Sequence, residues 1–299
     1  MRKVNFERQL DGPDSYQYFN TISKICQSYY IGLIRAQLLI LFLIAVISTL
    51  PVLCDSLEII KLIIYLILMS LVLILMIIDF ANNYMDGWQK SRFLAESILS
   101  NCWLLIFKCE IYNYNKYDDA ISELHKRIKF LKKEINVNNF LSYTGVINQD
   151  NDSPTWIYEN FNANLKAKKQ FYIENRIQEQ INWYNQKTKS NKDNSRNYFI
   201  LGLISLSIGI ILTALVLAKL IPNLSYLGLF TTLTASLFSW KQTKRFDELK
   251  TTYSVTADEL CHFKNIIEIE QNESEIQKIV LDTENSISRE HKLWFNKVV

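Results

Sequence analysis

Apolar residues are distributed along this chain in two ways. In four stretches, at about 36–53, 62–78, 198–217 and 224–240, they run almost without interruption. Elsewhere they recur every three or four positions, the spacing of one helix face. A helix needs about 17–25 apolar residues to cross the hydrocarbon core of a bilayer, and the first three stretches meet that length. The fourth is shorter and richer in hydroxyls, yet it carries no charge and closes a hairpin with the third. The pattern predicts four transmembrane helices arranged as two hairpins. The first stretch lies too far from Met1, and lacks the small-residue cleavage site, to be a removable signal. A further run, Ile98 to Phe107, is about half the needed length and includes Asn101, so a buried core helix is expected there.

Five stripes mark the amphipathic helices. They are Phe19, Ile22, Cys26, Tyr29 and Leu33; Ile121, Leu124, Ile128, Leu131 and Ile135; Ile173, Ile177, Ile181 and Tyr184; Leu249, Tyr253, Thr256, Leu260, Phe263 and Ile267; and Ile276, Val280, Thr283, Ile287 and Trp294. The fourth is expected to continue directly out of the last membrane helix, and Ser274 with Gln277 forms a capping-box pattern ahead of the fifth. Such stripes suit packing into a bundle, either within one subunit or between subunits. The polar segment 137–157, rich in Asn, Asp and Ser, reads as a connector. It separates two halves of like order, 1–136 and 158–299, each with an amphipathic helix, a membrane hairpin and a second amphipathic helix. The fold class expected is an all-α integral membrane protein with long amphipathic cytoplasmic helices.

Charge supplies the orientation. The loops inside the hairpins hold Asp55, Glu58 and Lys61, and Lys219. The outer flanks carry Lys24, Arg35, Lys90, Arg92, Lys187, Lys189, Lys192, Arg196, Lys241, Lys244, Arg245 and Lys250. The positive-inside rule then places both termini and the middle segment in the cytoplasm. The basic runs around Lys166, Lys168 and Lys169, and Lys187 to Lys192, suit attraction to anionic lipid headgroups. A net charge of +3 gives no reason to expect direct nucleic-acid binding.

Seven Gly and four Pro among 299 residues are too few for a turn-rich β fold. The five cysteines (Cys26, Cys54, Cys102, Cys109 and Cys261) include no C-x-x-C pair, and His125, His262 and His291 are scattered. A zinc site or a disulfide framework is therefore not expected. Phosphate loops, nucleophile elbows and calcium loops are also absent from the sequence. The reading is of a non-enzyme without catalytic residues, cofactor or metal.

Two membrane stripes are of small residues. Gly202, Ser205, Gly209 and Thr213 share one arc of the third span, and Ser225, Gly228, Thr232, Ala235 and Ser239 share one arc of the fourth. Small residues let helix backbones approach, and hydroxyls bond across helices or face water. Each stripe thus serves packing inside the hairpin or lines a path between subunits, the fourth span being the better candidate for the path.

The segment Arg176-x3-Gln180-x2-Trp183-Tyr184-x2-Lys187 and the tail Glu284-x5-Glu290-x3-Trp294 flank the second hairpin. They resemble the corresponding segments of the SLATT family, and Trp88-x3-Arg92-x2-Ala95-Glu96 resembles the segment after the hairpin in another SLATT subfamily. The chain therefore looks like two SLATT units in tandem. These are prokaryotic two-transmembrane-helix effector units associated with nucleotide-signalling conflict systems. The resemblance implies a pore-forming or membrane-disrupting effector of anti-phage defence, acting as a homo-oligomer in the bacterial inner membrane. Its trigger would be a sensor protein or a nucleotide second messenger. A membrane-anchored scaffold or sensor subunit, and a small constitutive ion channel, are the alternatives.

Overall fold

In the computed structural model, residues 12–51, 55–135, 154–221 and 226–296 are described, without the side chains of Asp55 and residues 289–296. Cys54, Ser225, most of the connector and the side chains of Glu290 and Trp294 lie outside that description. Among the described residues every regular element is a helix. The order is α1 (Asp14–Thr49), α2 (Asp55–Asn82), α3 (Tyr84–Ile106), a 3₁₀ turn (Glu110–Tyr112), α4 (Tyr117–Glu134), α5 (Thr155–Asn162), α6 (Leu165–Tyr172), a π-helical turn (Ile173–Ile177), α7 (Gln178–Leu217), α8 (Tyr226–Thr243), α9 (Phe246–Ile269) and α10 (Glu273–Asn296).

The chain forms two compact units, and each draws on both sequence halves. One comprises Met1–Gln27, Met85–Gln186 and Thr252–Val299; the other comprises Ser28–Tyr84 and Lys187–Thr251.

The first unit buries the amphipathic stripes against one another. Phe19, Ile22 and Cys26 of α1, Leu124, Ile128 and Leu131 of α4, Ile177, Ile181 and Tyr184 of α7, Leu260 and Ile267 of α9, and Ile276, Val280 and Ile287 of α10 are all buried. These residues therefore close the core of a single chain, one of the two uses their spacing allowed. The short run 98–107 is the centre of this core, with Ile98, Cys102, Leu105 and Ile106 all fully buried. Around Trp103 stand Trp156, Phe171 and Tyr172, with ring centroids 5.1, 5.6 and 5.1 Å away.

Lys168 and Lys169, expected at lipid headgroups, are buried here instead. Lys168 Nζ donates to the Ile106 carbonyl at the end of α3 (3.0 Å), and Lys169 Nζ donates to the carbonyls of Glu268 and Glu270 at the end of α9. Both satisfy helix-terminal acceptors that otherwise lack partners. Their stems cross apolar core on the way, which is why a surface reading of the basic run failed.

The second unit is built of long apolar helices. Among the described residues, three stretches, Asp14–Ser48, Ser56–Ile106 and Leu165–Leu217, contain helices long and apolar enough to cross a membrane. The expected fourth span corresponds to α8, which has 18 residues and falls short of that mark. Thr231, Thr232, Thr234, Ser236 and Ser239 lower its hydropathy. Along α2, Leu62, Leu66, Met69, Leu73 and Ile77 are more than half exposed and mark an open apolar face, while Tyr65, Leu68, Val72 and Leu75 on another side are half-buried. At the far end of the first hairpin, Lys61 Nζ donates to the Leu50 carbonyl (3.0 Å), capping the end of α1.

One expectation about continuity fails. The stripe after α8 does not run straight out of it. Lys244 and Arg245 form a turn, with Arg245 at φ 49°, and α9 starts at Phe246. The first half repeats the device, because Asn83 at φ 48° separates α2 from α3. Left-handed backbone costs a non-glycine residue about 1–2 kcal/mol, and each break is held by the helices around it. Asp247 and Glu248 then fall in the first turn of α9, where carboxylates complement the helix dipole.

The packing fixes thiol reactivity. Cys26, Cys102 and Cys109 are buried, burial pushes the Cys109 thiol up to about 12, and Cys261 is exposed. In a Cys54→Ser background, a maleimide added to the folded protein should modify Cys261 and spare the other three until denaturant is added. Rapid modification of Cys102 or Cys109 in the folded protein would contradict this core.

Candidate functional site

The strongest concentration of charge in the first unit lies at the π-helical turn. Asn164 starts the segment, its side chain accepting from the Ala167 N–H (2.9 Å) as the cap of α6. Helix α6 runs to Tyr172, and the following turn is closed by a bond from the Gln178 N–H to the Ile173 carbonyl, five residues back. Such turns are rare inside helices and mark places where side-chain position matters. Here Tyr172, Ile173, Arg176 and Ile177 are all buried.

Arg176 is 1% exposed, and Glu284 on α10 matches it at 1%. Arg176 Nε donates to Glu284 Oε1 (3.0 Å) and Nη2 donates to Oε2 (2.7 Å), a bidentate pair. The Tyr172 hydroxyl donates to Glu284 Oε1 as well (2.8 Å). On α3, Glu96 is 4% exposed. Its Oε2 lies 3.6 Å from Arg176 Nη1, and its Oε1 lies 2.9 Å from Arg92 Nη2. Arg92 also donates to Asn20 on α1 (3.4 Å). Two guanidinium groups thus meet two carboxylates, and the set is neutral.

Burial alone would lower the Arg176 pKa; Glu284, Glu96 and Tyr172 outweigh it, so the guanidinium is held above its ordinary value. Burial and the Glu284 carboxylate push the Tyr172 phenol well above its usual range. Neither group is poised to exchange a proton near neutral pH. The arrangement therefore joins α1, α3, the π turn and α10, and offers no acid–base chemistry.

Arg176, Glu284, Glu96 and Arg92 are motif residues quoted above, and the fold brings them together. Of the rest, Trp88 and Gln180 are half-buried, Tyr184 is buried and Lys187 is exposed. Trp183 packs on Tyr184 and Tyr253, at 5.0 and 5.3 Å between ring centroids. Sequence reasoning missed Tyr172. Its signal was the spacing to Arg176, one turn away on the same side.

In the second unit the two small-residue stripes part company. A Cβ on Gly202 would stand 3.0 Å from Phe238, and one on Gly209 would stand 2.8 Å from Phe230. Ser205 Oγ, Thr234 Oγ1 and the Phe230 carbonyl lie 2.8–3.2 Å from one another. Thr213 donates to the Gly209 carbonyl of its own helix (2.7 Å). Gly202, Ser205 and Gly209 of the α7 stripe are thus consumed in packing against the Phe230, Thr234 and Phe238 side of α8, a side the sequence reading did not select, while Thr213 stays exposed. The stripe selected on α8 lies elsewhere on the helix. Gly228 has nothing within 4 Å of a built Cβ, Ala235 and Ser239 are exposed, and Thr232 is half-buried.

Residues 172–294 match the family described as SMODS and SLOG-associating 2TM effector domain 1, or SLATT_1. Residues 13–155 match SMODS and SLOG-associating 2TM effector domain 3, or SLATT_3. No curated protein and no solved structure matches the chain. Glu96 and Arg92 lie in the second of these matches; Tyr172, Arg176 and Glu284 lie in the first.

Breaking one side of the ionic set should be costly. Glu284→Gln leaves a buried guanidinium short of a counter-charge and is expected to destabilise the fold by roughly 3–5 kcal/mol. The double substitution Arg176→Met with Glu284→Met removes both charges and should recover most of that loss. Denaturant unfolding of the detergent-solubilised protein compares them. Equal losses in the single and double variants would refute a charge-based explanation.

Proposed function

Because the chain belongs to the SLATT family and carries two of its units in tandem, we propose that it is a regulated membrane effector of prokaryotic anti-phage defence. It sits in the bacterial inner membrane with four spans and both termini cytoplasmic. It assembles as a homo-oligomer that opens a pore or disrupts the bilayer. The observation that carries the assembled form is the face of α8 on which Gly228, Ala235 and Ser239 are open and Thr232 is half-buried, while Gly202, Ser205 and Gly209 of α7 are taken up by packing. Small and hydroxyl-bearing residues on an uncovered membrane helix suit close approach by another subunit, or contact with water. A lone hairpin pair is too small to enclose a wide path, so the path requires copies of the chain.

The trigger in this reading is a sensor protein or a nucleotide second messenger acting on the first unit. The helices α1 and α7 belong to both units, so a packing change in one is felt as strain in the helices of the other. The chain itself performs no covalent chemistry.

The scaffold reading has one supporting observation of its own. Arg92 and Glu96 of one SLATT unit, and Arg176 and Glu284 of the other, are spent inside the first compact unit, as expected if the membrane helices only anchor that body.

Orientation is tested by impermeant thiol labelling of intact cells. Cys54 is expected to react from outside, and the exposed Cys261 only after permeabilisation; external labelling of Cys261 would invert the topology. Membrane potential after phage challenge separates the readings. Triggered depolarisation is expected for the native chain. Thr232→Val removes a hydroxyl worth about 0.6 kcal/mol in a packed membrane interface, so its loss should matter little there. On a narrow water path the same change should suppress the current by dewetting. Gly228→Leu should impair assembly. Protection without depolarisation would sink the pore and leave the scaffold, and depolarisation without a trigger would indicate a constitutive channel.

A further inference from the structure

We propose that Arg35 and Lys244, both held against the Trp240 ring in the second unit, form a binding site for the phosphate of an anionic lipid headgroup.

Trp240 is the centre of the site. It is buried with Ile31 and Phe246, and Tyr30, Ile34, Leu38 and Tyr198 pack around this cluster. The Arg35 guanidinium carbon stands 4.9 Å from the Trp240 ring centroid, and Lys244 Nζ stands 5.5 Å from it. The indole so holds two cations from two elements, Arg35 from α1 and Lys244 from the turn after α8. Burial, then Arg35, then Lys187 disfavour the charged form of Lys244 and lower its pKa. Arg35 and Lys244, both against one ring, are therefore close enough to repel one another.

Three carboxylates of this unit answer to other cations. Asp247 accepts from Lys241 (2.7 Å), Lys250 (2.6 Å) and Ser195 (2.7 Å). Asp193 faces Arg196 at 3.5 Å, and Glu248 is paired with Arg245. An external anion relieves the repulsion. A phosphate suits the set, because a guanidinium fork and an ammonium point charge bind its oxygens in complementary ways.

Position selects the source of that phosphate. Arg35 directly precedes the apolar run 36–53, and Lys244 closely follows the run 224–240. Trp240 lies at the same boundary, as does Tyr198, which stacks on Phe246 at 5.7 Å. Aromatic residues of this kind mark headgroup depth. Arg35 is exposed, so the site opens toward the surroundings of the helices, where lipid arrives. A soluble phosphate gains nothing from those surroundings.

The inference rests on the chain residing in a bilayer and is independent of a pore. Alkaline carbonate washing of membranes tests that premise alone, since a chain that is washed off is not integral. For a chain that is retained, native mass spectrometry of the full-length protein in detergent counts bound phosphatidylglycerol against phosphatidylcholine. The native chain should prefer phosphatidylglycerol. Arg35→Gln and Lys244→Gln should each weaken it about fivefold, near the worth of one basic residue at a membrane surface. Arg35→Lys and Lys244→Arg should retain most of the binding, and circular dichroism checks that every variant is folded. Lys189→Gln with Lys192→Gln, exposed on α7 outside the cluster, should leave binding unchanged. Equal losses in that control would mean diffuse attraction and overturn the site. Absence of any preference in a retained chain would overturn it too, as would displacement of the lipid by millimolar inorganic phosphate.

Discussion

The fold depends on a buried guanidinium. A charge as deep as that of Arg176 is tolerable only if its counter-charges arrive with the right geometry. Glu284 supplies both oxygens, Tyr172 adds a hydroxyl to one of them, and Glu96 approaches from the opposite sequence half. Those partners sit on α10, on α6 and on α3, so satisfying one side chain fixes how three distant segments dock. Hydrophobic burial around Trp103 supplies the bulk of the driving force, but apolar contact is forgiving of register. The ionic set is not, and it selects a single arrangement from those the stripes would allow. The π turn belongs to the same solution, because it keeps both Tyr172 and Arg176 inside without ending the helix.

Much of this was legible from residue pattern. The stripes through Ile22, Leu124, Ile177, Leu260 and Val280 marked the buried faces, since a face that packs must repeat every three or four residues. The apolar runs marked the helices that can span a bilayer for an equally local reason, the density of apolar residues. The motif residues Arg92, Glu96, Arg176 and Glu284 were singled out, yet their meeting could not be read. Pairings across 108 positions depend on how helices dock, and nothing in local spacing encodes that. Lys168 and Lys169 show the reverse failure. A run of lysines looks solvated in sequence, and only the fold reveals that α3 and α9 end within reach of their amines. The break at Arg245 was hidden as well, because an arginine carries no turn signal of the kind glycine gives.

The two helical hairpins carry different information. In the first, α2 presents Leu and Ile to its surroundings over most of its girth, with Tyr65, Leu68, Val72 and Leu75 half-buried along one line. In the second, glycines on α7 admit Phe230 and Phe238 of α8, and the hydroxyls of Ser205 and Thr234 close the contact. Every polar group in that contact finds a partner within the hairpin. What is left over is the remaining small-residue face of α8. The asymmetry follows from packing: a helix can spend one side on its neighbour, and the composition of the other side decides what it can meet next.

The buried ionic set also ties the two sequence halves together. Glu96 comes from one SLATT unit, while Arg176 and Glu284 come from the other. A carboxylate of the first half is thus part of the surroundings of the arginine in the second. Cutting the chain between the halves would strip a counter-ion from the interior of one product and expose the core of the other. Neither half is electrostatically self-sufficient: each is complete only with the other attached.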